Sequence, residues 1–220
     1  GEKVLPSGSR LLMFLPMAHV FARLITVLAA SWPVTTAFTP DTKNLLPDLA
    51  AFKPTFLLAV PRVFEKVYNG AEAKAIAGGK GRIFGAAAKT AIDYSTALAD
   101  GKVPLTLSLK HKLFDRLVYG TLREAMGGQV RWAVSGGAPL GARLSHFFRG
   151  IGVTVLEGYG LTETTAPICV NLPWDVRPGT VGPPLPGSSV AIDDSGELLV
   201  KGVMVFKGYH NNPEATAESL

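Results

Sequence analysis

Apolar residues gather in short, β-rich runs bounded by breakers at Leu11 to Leu15, Val34 to Ala37, Thr55 to Val60, Val130 to Ser135 and Val153 to Glu157. Between most of these runs the spacing changes to that of amphipathic helices. Strands that are continuously apolar are buried on both faces, and the intervening helices supply the cover. The pattern therefore predicts an α/β fold with a mainly parallel sheet flanked by helices. Residues 61–126 interrupt the rhythm with three helical stretches, near 61–77, 83–99 and 106–126. Gly78-Gly79-Lys80-Gly81 and Asp100-Gly101-Lys102-Val103-Pro104 separate them. In the third, Leu113, Phe114, Leu117, Val118 and Leu122 mark one apolar stripe, the expected buried face of a helical excursion from the sheet. After Glu157 the chain turns to Gly, Pro and Thr. It returns as two strands, Ser189 to Asp193 and Glu197 to Lys201, around the hairpin signal Asp194-Ser195-Gly196. A last helix start is written in Asn212-Pro213-Glu214, and the pattern stops soon after it.

Composition narrows the class. A chain of 220 residues, 47 % apolar and 18 % charged, can form one or two packed domains, and disorder is not expected. Its single cysteine, Cys169, makes no internal disulfide, and no CxxC or HExxH string offers metal-ligand spacing, which favours a reducing compartment. The net charge of +5 is uneven: residues 1–150 carry +10 and residues 151–220 carry −5. The basic residues, such as Lys110, Lys112, Arg116 and Arg123, stand singly among apolar ones with few aromatics between them. A solvated helix face is the expectation, and nucleic acid is not an expected partner. The same basic excess leaves peripheral contact with an anionic membrane open. The most apolar stretch, Leu11 to Phe38, is cut by Pro16 and Pro33 and holds His19 and Arg23, so it falls short of the ~20 residues of a spanning helix. Gly1-Glu2-Lys3 has no signal-peptide character, and a cytoplasmic location is expected.

Three strings carry candidate chemistry. Glu157-Gly158-Tyr159-Gly160-Leu161-Thr162-Glu163-Thr164 follows a buried strand, where open α/β sheets bind ligands. Glycines flanking an aromatic let the backbone approach a flat ring, a Thr hydroxyl can bind phosphate, and a carboxylate can hold Mg²⁺. A Gly-rich turn capped by Thr162 or Thr164 would read the same way. Ser135-Gly136-Gly137-Ala138-Pro139-Leu140 also follows a strand, with Pro placed to be the first helical residue. It suits an anion or nucleotide nest, or an ordinary tight connection. In Leu15-Pro16-Met17-Ala18-His19-Val20-Phe21-Ala22-Arg23, His19 opens an apolar helix as a capping residue or as a group facing an acyl chain or carboxylate. Hydrolase chemistry finds no support, because Ser135 lacks a G-x-S-x-G elbow and Cys169 a nucleophile context.

The ordered blocks LPMAHVFAR, PTFLLAVPRVFEKVYN, VRWAVSGGAPL, LEGYGLTETTAP, PGTVGPPLPG and GELLVKGVMVFKGYHNNPEATAE resemble the adenylate-forming (AMP-binding) superfamily, most closely its long-chain fatty-acid CoA ligases. The resemblance implies activation of a long-chain fatty acid in two half-reactions. ATP gives an acyl adenylate and pyrophosphate, and coenzyme A then takes the acyl group as a thioester. It implies Tyr159 stacked on adenine, with Gly136, Gly137, Ala138, Glu157, Gly158 and Gly160 forming the surrounding backbone walls. Thr162 would stand at the α-phosphate, Glu163 on Mg²⁺ and His19 beside the acyl site.

In the family a Ser/Thr/Gly-rich phosphate loop precedes the His block, and a ribose-binding Asp and a domain with the catalytic Lys follow the KGYHNNPEAT block. These 220 residues hold none of them. The expectation is therefore a part of the large N-terminal domain, inactive by itself and belonging to an active enzyme. Some long-chain members carry a Trp gate four residues after the His, where this chain has Arg23. The alternatives are another adenylate-forming enzyme with a different acid or acceptor, and a non-catalytic nucleotide-binding or membrane-associating module. Pyrophosphate exchange separates the catalytic readings from the last.

Overall fold

The structure, a computed structural model, describes residues 5–220, so the reading of Gly1-Glu2-Lys3 lies outside the described residues. Five strands pair in parallel: β1 (Arg10–Met13), β2 (Thr35–Phe38), β3 (Phe56–Ala59), β4 (Trp132–Ser135) and β5 (Thr154–Leu161). A sixth, β6 (Ala166–Val170), adds antiparallel to β5 and completes the order β2-β1-β3-β4-β5-β6. The hairpin β7 (Ser188–Ile192) and β8 (Leu198–Gly202) forms a separate two-stranded sheet around Asp194-Ser195-Gly196. This is the mainly parallel α/β arrangement that the apolar runs predict.

The two faces of the sheet are covered differently. Successive side chains of a strand point to opposite sides. Leu11, Met13, Phe56 and Leu58 accordingly pack on one face against Ala22, Ile25 and Ala29 of α1 (Val20–Ala30). Leu12, Leu57, Ala59, Ala133 and Val155 face the other way, into the larger core. That core is built by α2 (Leu45–Phe52), α3 (Pro61–Ala77), α4 (Gly81–Ala99) and α7 (Ala142–Gly150), through residues such as Leu49, Phe64, Ala91 and Phe148. Phe64, Phe147, Phe148, Tyr68 and Phe84 meet edge to face at 4.8–5.5 Å, within the favourable range for aromatic pairs.

The third helical stretch corrects the expected stripe. It is α5 (Leu105–Phe114), one π-helical turn over Asp115–Tyr119, and α6 (Gly120–Ala125). Phe114, Tyr119 and Leu122 point into the core, where the Tyr119 hydroxyl donates to the Ala87 carbonyl at 2.8 Å. Leu113 and Leu117 do not join them: with Leu105 and Leu109 they are 57–75 % exposed. On a straight α-helix a four-residue spacing would carry each successive leucine about 40° around the axis. The wider π turn winds the chain back, and the four leucines remain on the solvent side. No helix among the described residues is long and apolar enough to cross a membrane.

Candidate functional site

At the carboxyl ends of β4 and β5 the sheet opens into a cavity of about 460 Å³ beneath α1. Phe21, Leu24, Ile25 and Leu28 recur at helical spacing and form its apolar wall, with Phe56, Val134 and Leu156 of the sheet opposite. From Phe21 to Leu28 this wall runs about 10 Å along the helix. The cavity is also lined by His19, Ser135, Gly137, Tyr159, Thr162, Glu163 and Asn171.

Local structure explains why those groups face inward. The imidazole of His19 caps α1, its Nδ1 accepting the Phe21 N–H at 3.2 Å, so a neutral ring carries its proton on Nε2. The Gly-Tyr-Gly string is strand rather than loop, because β5 continues to Leu161 and pairs with β6, Tyr159 opposite Cys169. Gly160 is where the two strands come closest. A Cβ there would stand 1.7 Å from the Ala166 carbonyl oxygen, which no side chain permits. The chain then makes one 3₁₀ turn over Thr162–Thr164 and reverses through Thr165 and Ala166, both in the left-handed region at φ 58° and 85°. Such conformations are costly for residues other than glycine and gather at binding sites.

Thr164 rather than Thr162 locks this turn. It is buried, and its hydroxyl accepts the Leu161 N–H at 2.9 Å. The Thr162 hydroxyl makes no hydrogen bond among the described residues and lines the cavity. Glu163 is held at both ends: its carbonyl accepts the Phe206 N–H at 2.7 Å, and its Oε1 accepts the Tyr209 hydroxyl at 2.7 Å. That hydroxyl, together with a backbone hydrogen bond, keeps the Glu163 carboxyl below the usual carboxylate range. No side chain donates to Oε2 among the described residues. No cluster of three His, Cys, Asp or Glu occurs among the described residues. A Mg²⁺ ion held by one carboxylate, with phosphate and water oxygens completing its shell, fits this donor set.

Not every expected residue reaches the cavity. Gly136, Ala138 and Glu157 are not among its lining groups. Glu157 shares the pleat of Val155 and is buried on the helix-packed face, where its Oε1 accepts the Leu140 N–H at 2.8 Å and ties the two glycine strings together. Its Oε2 and the hydroxyl of Ser135, the residue registered opposite on β4, have no partner among the described residues. Gly136 backs onto the Phe21 ring, which a Cβ would meet at 3.4 Å. Pro139 does not start a helix, since α7 begins at Ala142. Burial raises the pKa of the Cys169 thiol, which keeps it protonated.

Two contributors were hidden in the sequence. Asn171 joins the loop after β6 to the site: its amide nitrogen donates to the Thr180 and Glu157 carbonyls, and its side-chain oxygen accepts the Arg177 N–H. Tyr209 lies 46 residues from the carboxylate it meets, and only its membership of the KGYHNNPEAT string sets it apart.

A cavity at the carboxyl ends of parallel strands, lined by apolar side chains with a few polar groups, is where open α/β sheets bind ligands. The chain belongs to the AMP-binding enzyme family, whose model matches residues 2–210. It is 57 % identical over 99 % of its length to Long-chain-fatty-acid--CoA ligase FadD15 of Mycobacterium tuberculosis, and spans 36 % of that protein. It is 32 % identical over 96 % of its length to human Long-chain-fatty-acid--CoA ligase 1, of which it spans 31 %. The chain thus covers about a third of these relatives. Among solved structures it is similar to the A domain of carboxylic acid reductase from Segniliparus rugosus in complex with AMP and a co-purified carboxylic acid. The TM-score there is 0.66 at 24 % identity, covering 94 % of this chain and 30 % of that one. The N-terminal domain of FACL13 from Mycobacterium tuberculosis matches with a TM-score of 0.63 at 22 % identity, covering 97 % of this chain and 45 % of that one.

Proposed function

We propose that this chain is the adenine- and acyl-binding part of a long-chain fatty-acid CoA ligase using ATP, Mg²⁺ and coenzyme A. The observation that carries the reading is the continuity of the apolar trough under α1 with the polar group of Tyr159, Thr162 and Glu163. The relatives named as long-chain-fatty-acid CoA ligases support the same substrate class. In the first half-reaction a carboxylate oxygen attacks the α-phosphorus, the bond to the β-phosphate oxygen breaks and pyrophosphate leaves. The coenzyme A thiol then attacks the acyl carbon, loses its proton, and AMP leaves with the bonding pair. Such chemistry needs placement and charge neutralisation rather than a protein nucleophile.

Each residue has a part in that placement. The Tyr159 ring offers a flat face to adenine, and Gly137, Gly158 and Gly160 let the base approach the backbone. The free Thr162 hydroxyl can donate to an α-phosphate oxygen. Glu163 would hold Mg²⁺, which lowers the charge repulsion between phosphate and carboxylate. His19 stands where the carboxylate end of an acyl chain meets the nucleotide, and Phe21, Leu24 and Leu28 extend along the chain itself.

In the full-length protein Tyr159→Phe should leave ATP affinity within about threefold, because the ring and not the hydroxyl makes the contact. Tyr159→Ala should weaken it by roughly 1–3 kcal/mol, the usual worth of a base stacked on an aromatic side chain. Calorimetric titration with Mg·ATP tests this, and equal losses for both variants would rule out stacking.

The partner surface follows from the exposed leucines. Leu105, Leu109, Leu113 and Leu117 form a solvent-facing stripe flanked by Lys102, Lys110, Lys112 and Arg116. Apolar side chains rimmed by cations suit the headgroup region of an anionic membrane, from which long-chain acids could be drawn, each surface cation contributing about 1 kcal/mol. The full-length protein should co-sediment with phosphatidylglycerol-containing vesicles at low salt, less at high salt, and lose binding in Leu109→Glu/Leu113→Glu. Equal sedimentation of that variant and the parent would exclude this surface.

A further inference from the structure

Resting on the role proposed for Glu163, we infer that Tyr209 is the positioning residue for that carboxylate. The KGYHNNPEAT string would then exist to hold Tyr209 in place. The hydroxyl donates to Oε1 at 2.7 Å, and two further bonds bring the same segment onto the same turn: Phe206 N–H to the Glu163 carbonyl at 2.7 Å and the Thr165 hydroxyl to the Met204 carbonyl at 2.9 Å. A partly exposed carboxylate on a 3₁₀ turn would otherwise sample several rotamers. Donation to one oxygen fixes the plane of the group and keeps the second oxygen for a cation.

The remainder of the string anchors the tyrosine. Asn212 caps α8 (Pro213–Ser219) by accepting the Ala215 N–H at 3.1 Å, and Pro213 fills the first helical position. Helix α8 thereby places Thr216, whose hydroxyl accepts the Tyr209 N–H at 2.9 Å and donates to the Asn212 carbonyl at 2.8 Å. Gly208 permits the bend, at φ 139° and with a hypothetical Cβ only 2.7 Å from the Thr216 methyl. Phe206 closes the arrangement edge to face on the Tyr209 ring at 4.8 Å. The side-chain hydrogen bonds of Asn212 and Thr216 lead back to the backbone of Tyr209, and its hydroxyl leads to Glu163.

Tyr209→Phe in the full-length protein removes the oxygen and keeps the ring. The Mg²⁺ concentration for half-maximal ATP–pyrophosphate exchange should rise about 3- to 10-fold, in keeping with one hydrogen bond to a charged group that water partly replaces. Thermal stability of the metal-free protein should stay within about 2 °C. In the metal-free protein hydrogen exchange at the Phe206 amide should quicken, a readout independent of turnover. Thr216→Val, which loosens the Tyr209 backbone but retains its hydroxyl, should shift the Mg²⁺ dependence in the same direction by a smaller factor. Adding Tyr209→Phe to Glu163→Gln should change nothing more. A Mg²⁺ dependence unmoved by Tyr209→Phe, while Glu163→Gln shifts it, overturns the positioning role alone. If Glu163→Gln also leaves it unmoved, the assignment of Glu163 itself fails.

Discussion

Replacing Glu163 with glutamine in the full-length protein should cut ATP–pyrophosphate exchange by about 10²–10³-fold, the usual cost of removing one group that stabilises charge at a reacting phosphate. The protein should remain folded. Glutamine keeps the volume, and the backbone bond from Phe206 and the tyrosine hydroxyl can both still be accepted by its carbonyl oxygens. What is lost is the negative charge, which a hard cation requires of its first protein ligand. Raising Mg²⁺ should recover part of the rate if the carboxylate acts through the ion. Wild-type exchange at every Mg²⁺ concentration would place the cation elsewhere.

Gly160→Ala should be severely damaging for a change of a single hydrogen atom to a methyl group. The new carbon would stand 1.7 Å from the Ala166 carbonyl oxygen and 2.8 Å from the Pro167 Cα, both of them backbone atoms with no rotamer to yield. Relief requires β5 and β6 to separate, which breaks the pairing that presents Tyr159. A loss of several kcal/mol of stability is expected, at the upper end for a single substitution. Chemical denaturation measures it directly, and parental stability would show that the strands do not approach as closely as described. Gly158→Ala, whose Cβ would meet the Cys169 oxygen at 3.1 Å, should be milder.

The sheet was legible in the sequence because β1 and β3 are buried on both faces and, with β4, read as short apolar runs, while the edge strand β2 is partly exposed and showed itself by its β-branched residues. The end of β5 was not, since Gly158-Tyr159-Gly160 has the composition of a loop. It is a strand only because β6 returns alongside it, a pairing that local pattern does not encode. The stripe on α5 misled for a related reason: helical periodicity assumes one constant turn, and the π turn at Asp115–Tyr119 changes it in mid-helix. Tyr159, Thr162, Glu163 and His19, singled out by their motifs, line one cavity. Periodicity cannot relate Tyr209 to Glu163, or Asn171 to Thr180, because these contacts are made by chain reversals.

The hydrogen bond from Leu140 to Glu157 alters how the two glycine strings should be regarded. Seventeen residues separate them along the chain, yet a single buried carboxylate oxygen makes them one mechanical part. A transplant of the Gly-Tyr-Gly strand into another sheet would bring a stranded acid unless the backbone amide of the neighbouring loop came with it. Laboratory recombination between relatives should accordingly tolerate crossovers within α4 or the hairpin far better than any crossover between residues 140 and 157.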